Sequence, residues 1–313
     1  MKKRMMKIMC GLVFVGALLC LLPSVGLCQP CSALVVGGGT YPSIQTAINS
    51  VGSFATIGVT GTCSENLTIL ESKNYISLIG TGATIAGQDT EFGTPPTIAI
   101  LGKGITVKGF TITGPHDVIQ VARGGTASIE RNTIESAGGY GIVLALNSYA
   151  TIVNNTIQNN LLGGIVVTYS SFARIGFSSN SDTNPVPNTI QGNACGVIVG
   201  GSSSAQIVGN IISSNTEDGV RVTKVSQADI SSNTIDDNGR NGILVEQNSG
   251  VNLGKDEGEG IFNEPNISEV GNGAYGLSCD TGGYADGRLG TLDGVGKKTA
   301  TYFAKSCIDS LIP

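Results

Sequence analysis

One short pattern returns at a fixed interval between Ala127 and Gly250, and no other feature restricts the possible folds as strongly. Ile129, Ile152, Ile175, Ile207, Ile230 and Leu253 stand 23, 23, 32, 23 and 23 residues apart. Ala127, Ala150, Ala173, Ala205 and Ala228 keep the same steps. A fixed period of this size means stacked repeats. Later in each unit a glycine column (Gly141, Gly164, Gly196, Gly219, Gly242) precedes an alternating run such as Gly164-Ile165-Val166-Val167-Thr168. Alternation and β-branched residues predict short strands, not helices. At roughly 3.3 Å per residue, one repeat traces about 75 Å of chain, enough for a lap of several strands. Each unit is therefore one coil, with Ile152, Ile165 and Val167 facing inward onto their equivalents about 4.8 Å away.

The corners are also periodic. Asn132, Asn155, Asn188, Asn210 and Asn233 precede a Thr-Ile or Ile-Ile pair, and Asn160, Asn193, Asn215 and Asn238 follow it. Asparagine tolerates left-handed backbone, and stacked amides can hydrogen-bond along a ladder. Ser148, Ser171, Ser203, Ser226 and Ser249 mark a third corner. Ala-x-Ile, Asn-Thr-Ile, Gly-Ile-x-Val and Ser at this spacing resemble the right-handed parallel β-helix repeat proteins of the pectin lyase-like superfamily. The resemblance implies an all-β right-handed parallel β-helix solenoid of about 23-residue coils. Its wider relatives include sugar-processing enzymes.

Along the chain, four segments are expected. Residues 1–28 carry Lys2, Lys3, Arg4 and Lys7 ahead of an apolar run from Ile8 to Leu22, the layout of a secretory signal peptide with cleavage after Gly26 or Cys28. That run is short for a membrane span, so a secreted or periplasmic protein with no remaining span is expected. Residues 29–103 would form the N-terminal cap and first coils, 104–284 the regular coils, and 285–313 the C-terminal cap. Within the first cap, Pro42 and Ser43 lead into Ile44, Ala47, Ile48 and Val51 at helical spacing, and Gly52 ends the run. This predicts a short capping helix over 42–52. Strands follow at 56–60, 65–70 and 75–80, with Leu78 to Gly82 as a turn, and at 105–107 and 110–112.

Charge and cysteines restrict the partners. Of 18 basic and 23 acidic residues, the leader removes four basic and no acidic ones, leaving 14 minus 23, or −9. Nucleic acid is an unsuitable partner for such a surface. Cys10, Cys20 and Cys28 fall in or beside the leader, which leaves five of eight cysteines. Pairing Cys31 with Cys63 and Cys279 with Cys307 ties down both ends, where a solenoid frays. Cys195 is left as a small buried residue with no adjacent base to make it a nucleophile.

Candidate sites are few. Gly114-Pro115-His116-Asp117 is similar to the Asp-Pro-His-Asp motif of mannuronan epimerases, but Gly114 stands where that motif has its first acid. Two coils carry extra residues at one corner, 177–187 and 255–265, each ending in Pro-Asn. With roots about 14 Å apart, they are placed to flank an extended ligand. The second contains Asp256, Glu257, Glu259 and Glu264, but not at the spacing of a calcium loop. On the sheet of Gly-Ile-x-Val strands, the outward row Val143, Val166 and Ile198 needs a cover or forms a sticky patch. Arg221, Thr223, Lys224, Glu246 and Asp280 group charge on neighbouring coils of that sheet, with an Arg221–Glu246 ion pair expected between strands. Tyr149, Tyr169 and Tyr275 are available to stack on sugars. The Gly-Ile-x-Val strands carry no Asp-Asp pair, Ser-His-Gly or Arg-x-Lys, and no catalytic, cofactor or metal residue is assigned.

The expected function is a secreted, non-catalytic glycan-binding or surface module whose partner is an extracellular polysaccharide. The alternative is a polysaccharide lyase, hydrolase or epimerase of acidic sugars with an unusual site. Peptide mapping without reduction should recover Cys31–Cys63 and Cys279–Cys307. A Cys195 peptide linked to any partner would refute this pairing.

Overall fold

A computed structural model describes residues 29–90, 93–179, 184–254 and 264–294. The chain winds as a parallel β-solenoid, a regular coil holding three strands, as in Thr126–Glu130, Thr133–Glu135 and Tyr140–Leu144. Strands of the third kind stack into a nine-stranded sheet running from Leu67–Ile69 to Leu277–Cys279. The other two kinds merge into an 18-stranded sheet that covers the remaining faces. Pairing is parallel and in register with the repeat: Ile129 lies opposite Ile152, Ile152 opposite Ile175, and Ile175 opposite Ile207. The Ile165 row is equally straight, running through Ile142, Val197, Val220 and Ile243. All these side chains are fully buried. Each such aliphatic burial stabilises by about 1.5–3 kcal/mol, so the core grows in nearly equal increments per coil.

The corners are held by side chains reaching between coils. Asn155 shows the pattern: its Nδ2 donates to Ile129 O (2.8 Å) and to Asn188 Oδ1 (3.0 Å), while its Oδ1 accepts from Asn132 N and Nδ2. This ladder runs through Asn210 and Asn233 and gains a sixth member, Asn266. The second ladder likewise continues from Asn238 to Asn272. At the third corner Ser148 N donates to Ser171 Oγ (3.1 Å), and the relation repeats through Ser203, Ser226 and Ser249.

Four local expectations need correction. The ladder asparagines do not take the left-handed backbone; in most coils the residue before them does, as at Arg131, Asn154, Asn159, Ser214 and Ser232. Asparagine is therefore selected for its amide, and the bend is made one position earlier. The proposed turn at Leu78–Gly82 lies inside one strand, Ser77–Ala86, where the register shifts between Ile79 and Ala83. A strand that absorbs its corner as a bulge keeps its hydrogen bonds on both sides. Ile105–Thr113 is likewise one strand in place of two, bent at Gly109 with φ of 78°. The capping helix α1 spans Ile44–Ser50, shorter than expected because Val51 is already extended.

The helix cap explains how the first end is sealed. Ser43 Oγ accepts from Thr46 N at 3.1 Å, and the Glu65 carboxylate accepts from Ile44 N (2.7 Å), Gln45 N (3.1 Å) and Ser43 Oγ (2.7 Å). A carboxylate at the exposed N–H groups of a first turn is favourable both as a partner and as a charge. Glu65 stands two residues after Cys63, whose disulfide to Cys31 fixes the same end. Cys195 is free and buried. Cys279 is buried, and its expected partner Cys307 lies outside the described residues. So do the leader, the centre of the 177–187 insertion and most of the 255–265 insertion. Among the described residues no helix is long and apolar enough to cross a membrane.

Replacing Asn210 tests the ladder. Asn210→Ala leaves Asn188 N and Nδ2 without their acceptor and Ile175 O without its donor, so a loss of about 3 kcal/mol or more is expected in urea unfolding. Asn210→Asp should be no better, because it presents an oxygen where Nδ2 faced Ile175 O and Asn233 Oδ1.

Candidate functional site

The nine-stranded sheet carries the residues singled out from the sequence, and its geometry divides them. Val143 and Val166 project outward, yet they are nearly buried, packed with Ala145 beside Tyr140 and Ile198. Neighbouring side chains provide the cover on this apolar row. Tyr140 reaches across the next coil at Gly163, where an added Cβ would stand 3.2 Å from the ring. Burial, and then the charge of Asp117, raise the Tyr140 phenol above its ordinary pKa. Tyr140, Val143, Val166, Tyr169 and Ile198 thus line a groove of about 300 Å³, with Thr223 and Lys224 at its far edge.

Glu246 and Asp280 line a second groove of about 320 Å³ on the same sheet, together with Arg240, Tyr275 and Ser278. Leu244 lies between, opposite Arg221 in register. The expected Arg221–Glu246 ion pair is not formed. Arg221 turns along its own strand and donates through Nε (3.0 Å) and Nη2 (2.6 Å) to Asp218 Oδ2, with Glu217 Oε2 at 3.3 Å. The reason is register: Arg221 lies opposite Leu244 and Val222 opposite Val245, which sets Glu246 beside Thr223, two positions along the strand from Arg221. Asp218 is fully buried and accepts at its other oxygen from Asn241 Nδ2 (2.8 Å) and N (3.2 Å). Asn241 Oδ1 is buried without a hydrogen-bond partner among the described residues.

Asp117, Tyr140, Gly163, Cys195, Asp218 and Asn241 occupy one column at the leading edge of this sheet, immediately before the glycine column. Sequence reasoning passed over this column because its residues differ in type. The available signal was position: polar or aromatic side chains directly before Gly141, Gly219 and Gly242. Burial, followed by the Asp218 charge, raises the Cys195 thiol far above its usual range, which removes it as a nucleophile. The two residues of the epimerase-like motif diverge. His116 Nε2 stands 3.0 Å from Asp89 Oδ1, whereas Asp117 Oδ1 accepts from Tyr140 N at 2.9 Å.

Among the described residues the group that converges as metal ligands would is Cys31, Cys63 and Glu65, and there the sulfurs form the disulfide while the carboxylate caps α1. A thiolate site requires free sulfurs.

Stacked parallel coils with an open groove along one sheet define the class of parallel β-solenoids. The right-handed β-helix region family model matches residues 55–187 and 175–281, and the chain belongs to that family. Among solved structures the chain is similar to the A-module of the mannuronan C-5 epimerase AlgE6 of Azotobacter vinelandii, with 15% identity, a TM-score of 0.40 and coverage of 85% of this chain and 94% of that one. No curated protein matches the sequence.

Arg221 and Glu246 should separate on substitution. Arg221→Ala strands the buried Asp218 carboxylate and should cost about 3 kcal/mol of stability, whereas Glu246→Ala should stay within about 0.5 kcal/mol. Equal urea midpoints for the two variants would contradict this division.

Proposed function

We propose that the protein is a secreted, non-catalytic carbohydrate-binding solenoid that takes an extracellular polysaccharide along its nine-stranded sheet. The observation that carries the reading is the groove itself: an apolar floor of Val143, Val166 and Ile198 between the rings of Tyr140 and Tyr169. Such a floor suits the C–H face of a sugar, and a few polar groups at the edge fix its orientation. Thr223 and exposed Lys224 supply those groups here, and Glu246 and Asp280 supply them in the adjoining groove. Both grooves lie on strands that the coils hold rigidly.

At the groove of Tyr140 and Tyr169 the geometry favours binding over turnover, since its carboxylate, Asp117, is taken up by Tyr140 N. Acid-base chemistry on a sugar needs a carboxylate or imidazole free to exchange a proton with it. Asp218 is occupied at both oxygens, Arg221 is neutralised by Asp218 and Glu217, and His116 is turned to Asp89. The disulfide Cys31–Cys63 is consistent with an oxidising compartment, which supports secretion.

A glycan array run beside a product assay tests the reading. Binding is expected without release of unsaturated uronides, shorter chains or epimerised residues. Tyr169→Ala should lower the affinity about tenfold, near 1.4 kcal/mol, without changing the thermal midpoint. Turnover of any bound polysaccharide would reverse the assignment in favour of an enzyme.

A further inference from the structure

The 18-stranded sheet bears a larger groove, about 570 Å³, which lies on a different face from the grooves above. Its floor follows two outward columns. One runs Phe172, Ser204, Gln227, Gly250, Tyr284 and the other Arg174, Gln206, Asp229, Asn252, Asp286, each strictly in register. Aromatic residues close both ends. Phe172 stacks on Tyr149 with ring centroids 5.7 Å apart and planes 9° from parallel. At the other end the Tyr284 ring lies flat across Gly250, where an added Cβ would meet Cζ at 2.1 Å, and its hydroxyl donates to Gln227 Oε1 at 3.0 Å. Gly250 therefore makes room for that ring, and 44% of Tyr284 remains exposed.

From this arrangement we infer that the groove is a second carbohydrate site, one that takes a neutral glycan. Between the aromatic ends the exposed groups are a carboxamide and carboxylate row, Asp229, Asn252 and Asp286, joined by Gln227. The carboxylates accept from sugar hydroxyls, the amides both accept and donate, and ring faces at the two ends stack on the sugar. Charge selects within the class. The lining holds two carboxylates, and the nearest cation, Arg174 at the head of the second column, is drawn over the Phe177 ring outside it, so a uronate chain would be disfavoured. A shared cation is excluded by spacing: Asp229 and Asp286 lie two coils apart, about 10 Å, whereas carboxylates on one calcium ion lie within about 2.6 Å of it. The site is independent of the nine-stranded sheet and does not rest on the function proposed for that face.

Titration calorimetry of the whole protein with the hexaoses of glucose, mannose and xylose, and with oligogalacturonate, tests the inference. At least one neutral hexaose should bind and oligogalacturonate should bind this groove at least tenfold more weakly. Tyr284→Ala and Asp229→Ala should each reduce neutral binding tenfold or more, while Tyr284→Phe, which keeps the ring, should stay within about threefold. Tyr169→Ala, on the other sheet, should leave it unchanged. If Tyr284→Ala does not fold, the exposed Asp229→Ala decides. The inference is overturned if no neutral hexaose binds, if binding survives both alanine substitutions, or if Tyr169→Ala abolishes it.

Discussion

Every coil bends sharply three times, and each bend turns backbone N–H and C=O groups away from the strand ladders into a dry interior. That requirement controls the architecture more than the aliphatic core does. An unpaired buried amide costs about 1–3 kcal/mol, so a corner repeated in every coil needs a partner repeated in every coil. The two asparagine ladders and the serine column supply it from the neighbouring rung, which ties each corner to the next. The glycine column belongs to the same arrangement. A Cβ at Gly164 would stand 2.7 Å from Gly196 O and 3.2 Å from Asn193 Nδ2, and Gly141, Gly196 and Gly219 face the equivalent atoms.

The periodic parts of this structure were legible in the sequence because stacking forces like residues into like places. The buried rows, the coil length and the members of both ladders from Asn132 to Asn238 could be read from spacing alone. The cause of the asparagine columns could not, since a left-handed residue at the preceding position carries no constant identity: Arg131, Asn154, Gly209 and Ser232 all serve. Asn266 and Asn272 escaped notice because the coil before them is interrupted by the 255–265 insertion, which breaks the count.

The candidate sites were less legible for the same reason. A ligand surface departs from the repeat by construction, so its residues share a column without sharing a type. Arg221 was placed correctly on its sheet, but its partner was misassigned because Asp218 sits in the turn before the strand, outside the alternating pattern. The groove near Tyr284 was hidden more deeply. It depends on Gly250 facing Tyr284 across a step of 34 residues, a pairing that no fixed period of 23 predicts.

The ladders also give the solenoid a polarity. In both of them each asparagine donates to the carbonyl oxygen of the asparagine one coil later, from Asn132 to Asn266 and from Asn160 to Asn272. The side-chain carbonyls therefore all point back toward the first coils. The end that receives no further asparagine is closed differently, with Asn272 Nδ2 donating to Asp293 O at 2.8 Å. At the opposite end Phe110 N donates to Asn132 Oδ1 at 3.1 Å, so the first amide is met by backbone. The coils of this chain therefore stack in one direction only: a coil entered in reverse would set side-chain carbonyl against side-chain carbonyl.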